Sequence, residues 1–299
     1  MRLGVALPIV DIGGTPAVLR EFAQAAEEIG YHGIAAPDHV LGANVASRPG
    51  WTQPRARSTD FYHDPFVLFG FLAGCTAIAD FSTQVLILAQ RQTVLVAKQA
   101  ACLDVLSGGR FRLGIGVGWN EIEFVGLNEN FHNRGRRSEE QVAVMRALWA
   151  EPHVSFKGRW HTIDDAGINP RPASGKVPVW YGGHHERTLP RIAKWGDGWM
   201  PNAYPPDQTA LDIFGQLRRL TEEASRDPAK VGIEVWVSMG TGTEADWAKE
   251  TRFWKQAGAS HLCLTTTFDR RHHKRIPGHT MTDHLAALRR YHSAVADAL

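Results

Sequence analysis

Short apolar runs alternate with longer amphipathic segments along the whole chain. The apolar runs are bounded by turn residues and lack a helical period, which is typical of buried strands. The predicted strands are residues 3–7, 33–36, 83–88, 111–116, 177–181, 198–200, 233–239 and 261–265. The segments between them place apolar residues on one helical face. The predicted helices are residues 15–30, 65–79, 93–109, 138–150, 186–195, 207–226, 243–258 and 282–299.

Two of these helices carry clear terminal signals. Thr15 suits the N-cap of the first helix, Pro16 its first turn and Gly30 its end. Thr243 and Asp246 stand at the spacing of a capping box before the seventh helix. These signals support the predicted boundaries of both helices.

Eight strands that alternate with eight helices predict an α/β fold, namely a (β/α)8 TIM barrel. An open doubly wound sheet is the alternative. We expect a single domain over residues 1–299, because barrels of this length form one unit. Active sites of such barrels lie at the carboxyl ends of the strands. The extended loops there are 40–64, 117–135 and 266–281, whereas residues 151–176 precede the fifth strand and are expected at the opposite end.

The composition is that of an ordinary folded protein. Hydrophobic residues make up 43% of the chain and charged residues 21%, with a net charge of +2. This balance argues against disorder and against a nucleic-acid or anionic membrane partner. No apolar stretch is long enough to span a bilayer, and the N-terminal apolar run is too short for a signal sequence, so we expect a cytoplasmic protein. The three cysteines are widely spaced, which predicts buried reduced thiols: Cys75, Cys102 and Cys263.

Residues 113–124, LGIGVGWNEIEF, hold glycines at alternate positions 114, 116 and 118. A dinucleotide-binding fingerprint needs G-x-G-x-x-G between a strand and a helix. Here the first two glycines lie inside the predicted strand, and no helix is expected for many residues. Glycine inside a strand marks close approach by a backbone or a ligand, or it admits bulky neighbours inside the barrel. The motif therefore does not predict a pyrophosphate site.

This segment resembles the mouth of the fourth strand in the bacterial luciferase-like oxidoreductase superfamily, especially in its deazaflavin (coenzyme F420) branch. The resemblance covers most of the chain and weakens after about residue 202. It rests on PDHV (37–40), residues 85–124, FHNRGRRSEEQV (131–142), PVWYGGH (178–184) and GDGWMP (196–201). It implies a luciferase-like barrel whose glycine-rich segment faces a flavin-type ring.

The resemblance implies catalytic roles for a few polar residues. Asp38 is expected to hydrogen-bond near the cofactor, and His39 to act as acid or base, because imidazole titrates near neutral pH. Alternatively, Asp38 caps the next segment and His39 is a loop histidine. Glu121 is expected to accept the proton, since a carboxyl group in a dry pocket can hold one near neutral pH, and Glu123 is expected to be structural. Trp119 lines the ring site or packs the loop.

The resemblance also implies the remaining cofactor contacts. The ring is expected against the ends of the third and fourth strands, at Ile87, Leu88, Ala89, Gly116, Val117 and Gly118. A non-proline cis peptide bond is expected near Ile87 to Ala89. The phosphate is expected at backbone N–H groups before the next helix, at Gly182, Gly183 and His184. No metal is predicted, because the adjacent residues His184 and His185 rarely chelate one ion and no third ligand is in place.

The predicted activity is hydride transfer between C5 of coenzyme F420 and a small organic substrate, with His39 and Glu121 managing the proton. The first alternative is an FMN-dependent monooxygenase that uses reduced flavin and dioxygen. The second is a flavin-binding barrel without catalysis. A metal-dependent hydrolase would need an HxH motif after the first strand, where the sequence has ALPIVD.

Three further segments concern the substrate and partners. Loop 40–64 offers an apolar lid, which indicates an uncharged or aromatic substrate: Trp51, Phe61 and Tyr62. The basic stretch 268–279 is expected at the barrel mouth, where it contacts the acidic tail of the cofactor or an anionic substrate, or is a solvated loop. A homodimer is expected, with the helices near strands two to four at the interface.

Overall fold

A closed barrel of eight parallel strands is formed in the computed structural model, which describes residues 1–53, 55–240 and 242–299. In chain order the strands are β1 (Arg2–Ala6), β2 (Gly33–Ala36), β3 (Asp80–Thr83), β4 (Leu86–Ile87), β5 (Phe111–Gly116), β6 (Val154–Lys157), β7 (Thr162–Ala166), β8 (Val179–Gly182), β9 (Gly198–Met200), β10 (Gly232–Val237) and β11 (His261–Leu264). The barrel order is β1–β2–β3–β5–β8–β9–β10–β11.

Two pairings close the ring. β3 pairs with β5 at Phe81 and Phe111, and β11 returns to β1 with Leu262 opposite Leu3. Every barrel pairing is parallel, as strands joined by outer helices require. The predicted (β/α)8 barrel is therefore confirmed, and the open doubly wound sheet is wrong.

The longer helices cover the outside of the barrel, whereas two short helices lie at the carboxyl ends of its strands. The helices are α1 (Ile9–Ile12), α2 (Pro16–Ile29), α3 (Pro65–Ala73), α4 (Thr93–Ser107), α5 (Glu121–Gly126), α6 (Arg134–Ala150), α7 (Thr188–Trp195), α8 (Gln208–Glu223), α9 (Glu244–Ala257) and α10 (Met281–Val295). The capping box of Thr243 and Asp246 is confirmed. Gly30 ends α2 in the left-handed region as predicted, whereas Thr15 precedes α2 without a side-chain capping bond.

The third predicted strand is interrupted. β3 ends at Thr83, a cis peptide bond joins Gln84 to Val85, and β4 contains only two residues before a 3-10 turn over Leu88–Gln90. The predicted strand 83–88 and the cis bond expected near Ile87 to Ala89 are therefore wrong in position. The apolar run VLIL follows the cis bond directly and is mostly buried, so in the sequence it looks like the continuation of β3.

A short helix follows the glycine segment directly. Asn120 accepts a hydrogen bond from the N–H of Ile122, and this cap starts α5. The expectation that no helix begins for many residues after Gly118 is wrong. The cap residue was visible in the sequence, but a helix this short has too few turns to show a period.

Residues 151–176 do not stay at the opposite end of the barrel. They contain an antiparallel hairpin of β6 and β7. The turn of this hairpin reaches the start of α4, where His161 Nε2 lies 2.6 Å from the hydroxyl of Thr93. His161 Nδ1 also lies 2.8 Å from a carboxylate oxygen of Glu140 on α6. The hairpin therefore covers the groove between α4 and α6.

An apolar face remains exposed on α3, on α4 and on the turn between α3 and β3. Val67, Ile78 and Leu106 are each more than 60% exposed. Leu95 and Leu106 are eleven positions apart, which places them on one side of α4. Cys263 is buried, whereas Cys75 and Cys102 are half-buried, and all three thiols are free. Among the described helices, none is long and apolar enough to cross a membrane.

Candidate active site

Two adjoining cavities open at the carboxyl ends of the barrel strands. The smaller, about 170 Å³, is called the His39 cavity and is lined by His39, Val85, Ile87, Trp119, Gly182 and Gly183 among others. The larger, about 290 Å³, is called the Phe268 cavity and is lined by Leu7, Ile9, Ala36, Tyr62, Thr265 and Phe268 among others. Both are bordered by the same four residues: Pro37, Arg55, Gln84 and Trp236.

His39 is held by a buried carboxylate. Its Nδ1 lies 3.3 Å from Oε1 of Glu123, which also accepts the backbone N–H of Val40 at 2.9 Å. Burial raises the pKa of Glu123, but hydrogen bonds from His39, Val40 and Gln90 outweigh it and lower the pKa below its usual range. An ionised Glu123 accepts only, so Nδ1 of His39 carries the hydrogen and Nε2 stays available.

Aromatic side chains enclose the imidazole. The rings of His39 and Tyr62 lie 4.9 Å apart, and Trp119 meets His39 edge-on at 6.1 Å. Trp51 packs on Trp119 at 5.8 Å. Of the predicted lid residues, Trp51 and Tyr62 therefore lie at the site, whereas Phe61 is 46% exposed and packs on His63.

Glu121 and Glu123 lie on different sides of α5. Glu123 is 1% exposed and faces His39, whereas Glu121 is exposed at the start of the helix. Two residues on a helix are separated by about 200° of rotation, so both cannot face the same cavity. No hydrogen bond in the described part of the chain connects Glu121 with His39. The structure thus does not bring together the predicted pair His39 and Glu121.

Asp38 lines the His39 cavity, but its carboxylate is engaged by protein groups. Oδ1 lies 2.6 Å from Nη2 of Arg91, and Oδ2 accepts the backbone N–H of Ile87 at 3.0 Å. Arg91 also contacts Asp64, the N-cap of α3, at 2.8 Å. Burial lowers the pKa of Arg91, but the two carboxylates outweigh it and leave the pKa raised. Asp38 therefore ties the end of β2 to β4 and α3.

The alternate glycines make room for two side chains of the interrupted strand. A Cβ on Gly182 would lie 2.7 Å from Val85, and one on Gly118 would lie 2.6 Å from Ile87. Gly116 likewise faces Val85. Val85 and Ile87 line the His39 cavity, so the glycines shape it through these neighbours. Val117 is 38% exposed, and Trp119 is the member of this segment that reaches the cavity.

Three residues after the cis peptide bond were predicted to contact the ring, and only one of them lines the cavity. Ile87 lines the cavity. Leu88 is fully buried in the main core, and Ala89 is fully buried against Ile87 and Phe124. The structure therefore does not bring Leu88 and Ala89 to the cavity surface, because the 3-10 turn directs them inwards.

The predicted phosphate loop lies at the edge of the His39 cavity. Gly182 and Gly183 line it, and Gly183 has a φ of +102°, which favours glycine. The carbonyl of Gly183 accepts the indole N–H of Trp199 at 2.8 Å. His184 is exposed, and its Nε2 lies 3.0 Å from Nη2 of Arg271. Partial burial and the nearby Arg271 lower the pKa of His184. The basic stretch 268–279 therefore reaches this loop.

Sequence reasoning missed several lining residues, among them Val85, Met200, Asn202, Arg55 and Trp236. The position of Trp236 could have been predicted, because alternate residues of a strand face the same side of the sheet. Glu234 of β10 contacts Gln84 in the barrel interior, so Trp236, two residues on, points the same way. Among the described residues, no group of three His, Cys, Asp or Glu side chains is arranged to hold a metal ion.

Comparison with known proteins gives the family. A family model described as luciferase-like monooxygenase matches residues 1–297. The chain belongs to this family. It is 32% identical over 212 residues to an uncharacterized protein of Mycobacterium tuberculosis (strain ATCC 25618 / H37Rv), covering 68% of this chain and 71% of that protein. It is 25% identical over 241 residues to the F420-dependent hydroxymycolic acid dehydrogenase of the same organism, covering 79% and 63%.

A solved structure shares the fold of this luciferase-like chain. The crystal structure of monooxygenase RslO1 from Streptomyces bottropensis matches it with a TM-score of 0.76 at 16% identity, covering 99% of both chains. The match of the family model confirms the resemblance to the luciferase-like superfamily. The proteins similar to this chain include an F420-dependent dehydrogenase and a monooxygenase, so the family is one of oxidoreductases and monooxygenases.

Proposed function

We propose that this protein is an F420-dependent oxidoreductase that transfers a hydride between the deazaflavin and a small organic substrate. The observation that carries the proposal is the buried pair of His39 and Glu123 at the edge of a cavity with both apolar and polar walls. Such a pair holds an imidazole in one orientation for proton transfer. A protein that only stores a cofactor has no use for it.

The residues of the His39 cavity fit a planar ring system with an anionic side chain. Val85, Ile87 and Trp236 offer apolar surface to the ring, and Gly183 leaves the backbone open beside it. The loop Gly182–His184 precedes the N-terminus of α7, where backbone N–H groups suit a phosphate. Coenzyme F420, when bound, supplies the hydride chemistry, and the protein supplies orientation and electrostatics.

His39 performs the proton transfer in this proposal. Glu123 fixes the tautomer of the imidazole, so Nε2 accepts or donates the substrate proton. Tyr62 and Trp119 pack on the imidazole and exclude water from it. The carboxylate partner is Glu123 rather than Glu121, because only Glu123 contacts His39 and is buried.

The experiment is an equilibrium titration of the purified protein with F420 and with FMN, followed by absorbance and fluorescence. We expect F420 to bind more tightly than FMN. The reverse order would favour the second candidate, an FMN-dependent monooxygenase, which the description of the family model supports. That candidate would then be tested with reduced FMN and dioxygen. Binding of neither cofactor would contradict both functions.

We also propose that two copies of the chain associate through the α3–α4 face. α3 consists almost entirely of apolar residues. A helix that is apolar on every side is buried on every side in the assembled protein. Val67 of α3 and the side of α4 that carries Leu95, Val105 and Leu106 stay exposed in the single chain. In an isologous dimer, the same face of a second copy covers these exposed side chains.

A further inference from the structure

Arg55 is a cation without a carboxylate partner at the boundary of the two cavities. No carboxylate of the described residues lies within ion-pair distance of its guanidinium. The other charged residues that line the Phe268 cavity have partners. Asp60 accepts the backbone N–H of Arg57 at 2.9 Å, Asp269 pairs with Lys274 at 3.0 Å, and Arg275 pairs with Asp11 at 2.7 Å.

Among the described residues, no acceptor forms a hydrogen bond with the guanidinium of Arg55. Its carbon lies over the ring of Phe268, 4.6 Å from the centroid. The N–H groups of a guanidinium lie in one plane and point outwards in it. Two parallel N–H groups in this plane match the two oxygens of a carboxylate. Burial lowers the pKa of Arg55 and Arg270 adds to this effect, whereas Tyr62 and the carboxylate of Asp60 act in the opposite direction without cancelling it, so a bound anion would relieve the cost of this charge.

The Phe268 cavity suits an aromatic ring beside that cation. Tyr62, Trp236 and Phe268 contribute aromatic walls, and the ends of β1 and β2 contribute aliphatic walls. The cavity volume is about 290 Å³. A cavity of about 150 Å³ with apolar walls already admits benzene, so a substituted ring has room here.

We propose that the substrate is an aromatic carboxylic acid whose carboxylate binds to Arg55 while its ring occupies the Phe268 cavity. That the bound acid is a substrate rests on the proposed function, but the binding site itself does not depend on that function. The sequence predicted an uncharged or aromatic ligand; the proposal keeps the aromatic alternative and adds a negative charge, because the loop that supplies Tyr62 also supplies Arg55. The acidic tail of the cofactor is the other source of such an anion. The loop Gly182–His184 and its neighbour Arg271 already provide for the anionic part of the cofactor, and that loop does not line the Phe268 cavity.

The test measures binding of benzoate and of its uncharged counterpart benzyl alcohol to the full chain by calorimetry, with and without saturating F420. We expect benzoate to bind at least about tenfold more tightly, because a charge-assisted hydrogen bond contributes on the order of 10- to 100-fold. Arg55→Met should remove this difference and Arg55→Lys should restore part of it. The matched control is Arg57→Met, since Arg57 lies on the same loop, is exposed and does not line either cavity.

Several results would overturn the proposal. They are equal affinity for benzoate and benzyl alcohol, absence of saturable benzoate binding, and an equal loss in Arg57→Met. A fourth is an Arg55→Met variant that loses F420 affinity but keeps benzoate affinity, which would assign Arg55 to the cofactor. Failure of F420 and FMN to bind would contradict the proposed function alone, because the benzoate titration is read on the protein without cofactor.

Discussion

The imidazole of His39 lies 3.3 Å from the carboxylate of Glu123, although 84 positions separate the two residues in the chain. The contact joins the loop after β2 to the helix after β5, and the backbone N–H groups of Val40 and Leu41 converge on the same oxygen of Glu123. A carboxylate with this many donors is an anchor for the loop as well as a partner for the imidazole. The orientation of His39 towards the cavity therefore depends on α5.

His39→Gln should lower kcat strongly and leave cofactor binding nearly intact. General acid–base catalysis contributes on the order of 100- to 10,000-fold, so we expect kcat to fall within this range once a substrate is in hand. The dissociation constant of F420 should change by less than about threefold, a difference below 1 kcal/mol. The matched control is His32→Gln, since His32 is exposed before β2. An unchanged kcat in His39→Gln would remove His39 from the chemistry.

The contribution of Glu123 to stability should depend on pH. Its pKa is lowered in the folded protein, so its stabilising contribution is present above the unfolded value of about 4.3 and is lost as the pH falls through the folded value. We expect the difference in free energy of unfolding between wild type and Glu123→Gln to be constant above about pH 5 and to shrink below about pH 4. Urea denaturation across this range measures it.

Glu121→Gln is the matched control for that experiment, because Glu121 is exposed two positions away. It should change the free energy of unfolding by less than about 0.5 kcal/mol at every pH. A wild-type minus Glu123→Gln difference that stays constant down to about pH 3 would contradict an ionised, hydrogen-bonded Glu123.

Asp38→Ala should destabilise the fold. The substitution leaves the buried N–H of Ile87 without its acceptor and leaves Arg91 facing only Asp64. Removing one partner of a buried pair costs about 3 kcal/mol or more, measured as the free energy of unfolding in urea. Asp269→Ala breaks an exposed pair with Lys274 and should cost less than about 1 kcal/mol. Equal effects of the two substitutions would show that Asp38 is not a structural tie.

Leu106→Glu should convert a dimer into monomers. Leu106 is 73% exposed on the apolar side of α4, and a buried unpaired carboxylate at an interface is strongly unfavourable. Val125→Glu is the matched control, because Val125 is also 73% exposed but lies on α5. Sedimentation equilibrium gives the mass of each variant. A wild type that is monomeric at every concentration, or a Leu106→Glu variant that remains dimeric, would contradict the α3–α4 interface.

The barrel was predictable from the sequence because its strands and helices are locally encoded. β2, β5 and β9 have the predicted bounds, since their apolar runs end at turn residues. The break after Thr83 was not predictable, because the apolar run 85–88 that follows it continues the appearance of a strand. The hairpin of β6 and β7 was missed since its strands are short and mostly exposed.

The location of a residue at the cavity was predictable where its position after a strand suffices, as for His39, Gly182 and Gly183. The prediction failed where the direction of a side chain decides whether that side chain reaches the cavity. Glu121 and Glu123 have the same chemistry, and only the start of α5 at Asn120 determines which of them faces His39. Arg55 could not be placed from sequence either, because it lies in a long loop whose path depends on packing against Phe268.

The central claim is that F420 binds in the His39 cavity, and the F420 dissociation constant of Val85→Trp tests it most directly. Val85 packs between Gly116 and Gly182, so an indole there has no space except the cavity. Val10→Trp is the control, because Val10 borders only the Phe268 cavity. We predict a rise of at least about 100-fold for Val85→Trp and less than about threefold for Val10→Trp, with both variants folded by circular dichroism. A folded Val85→Trp that binds F420 as tightly as wild type would contradict the account.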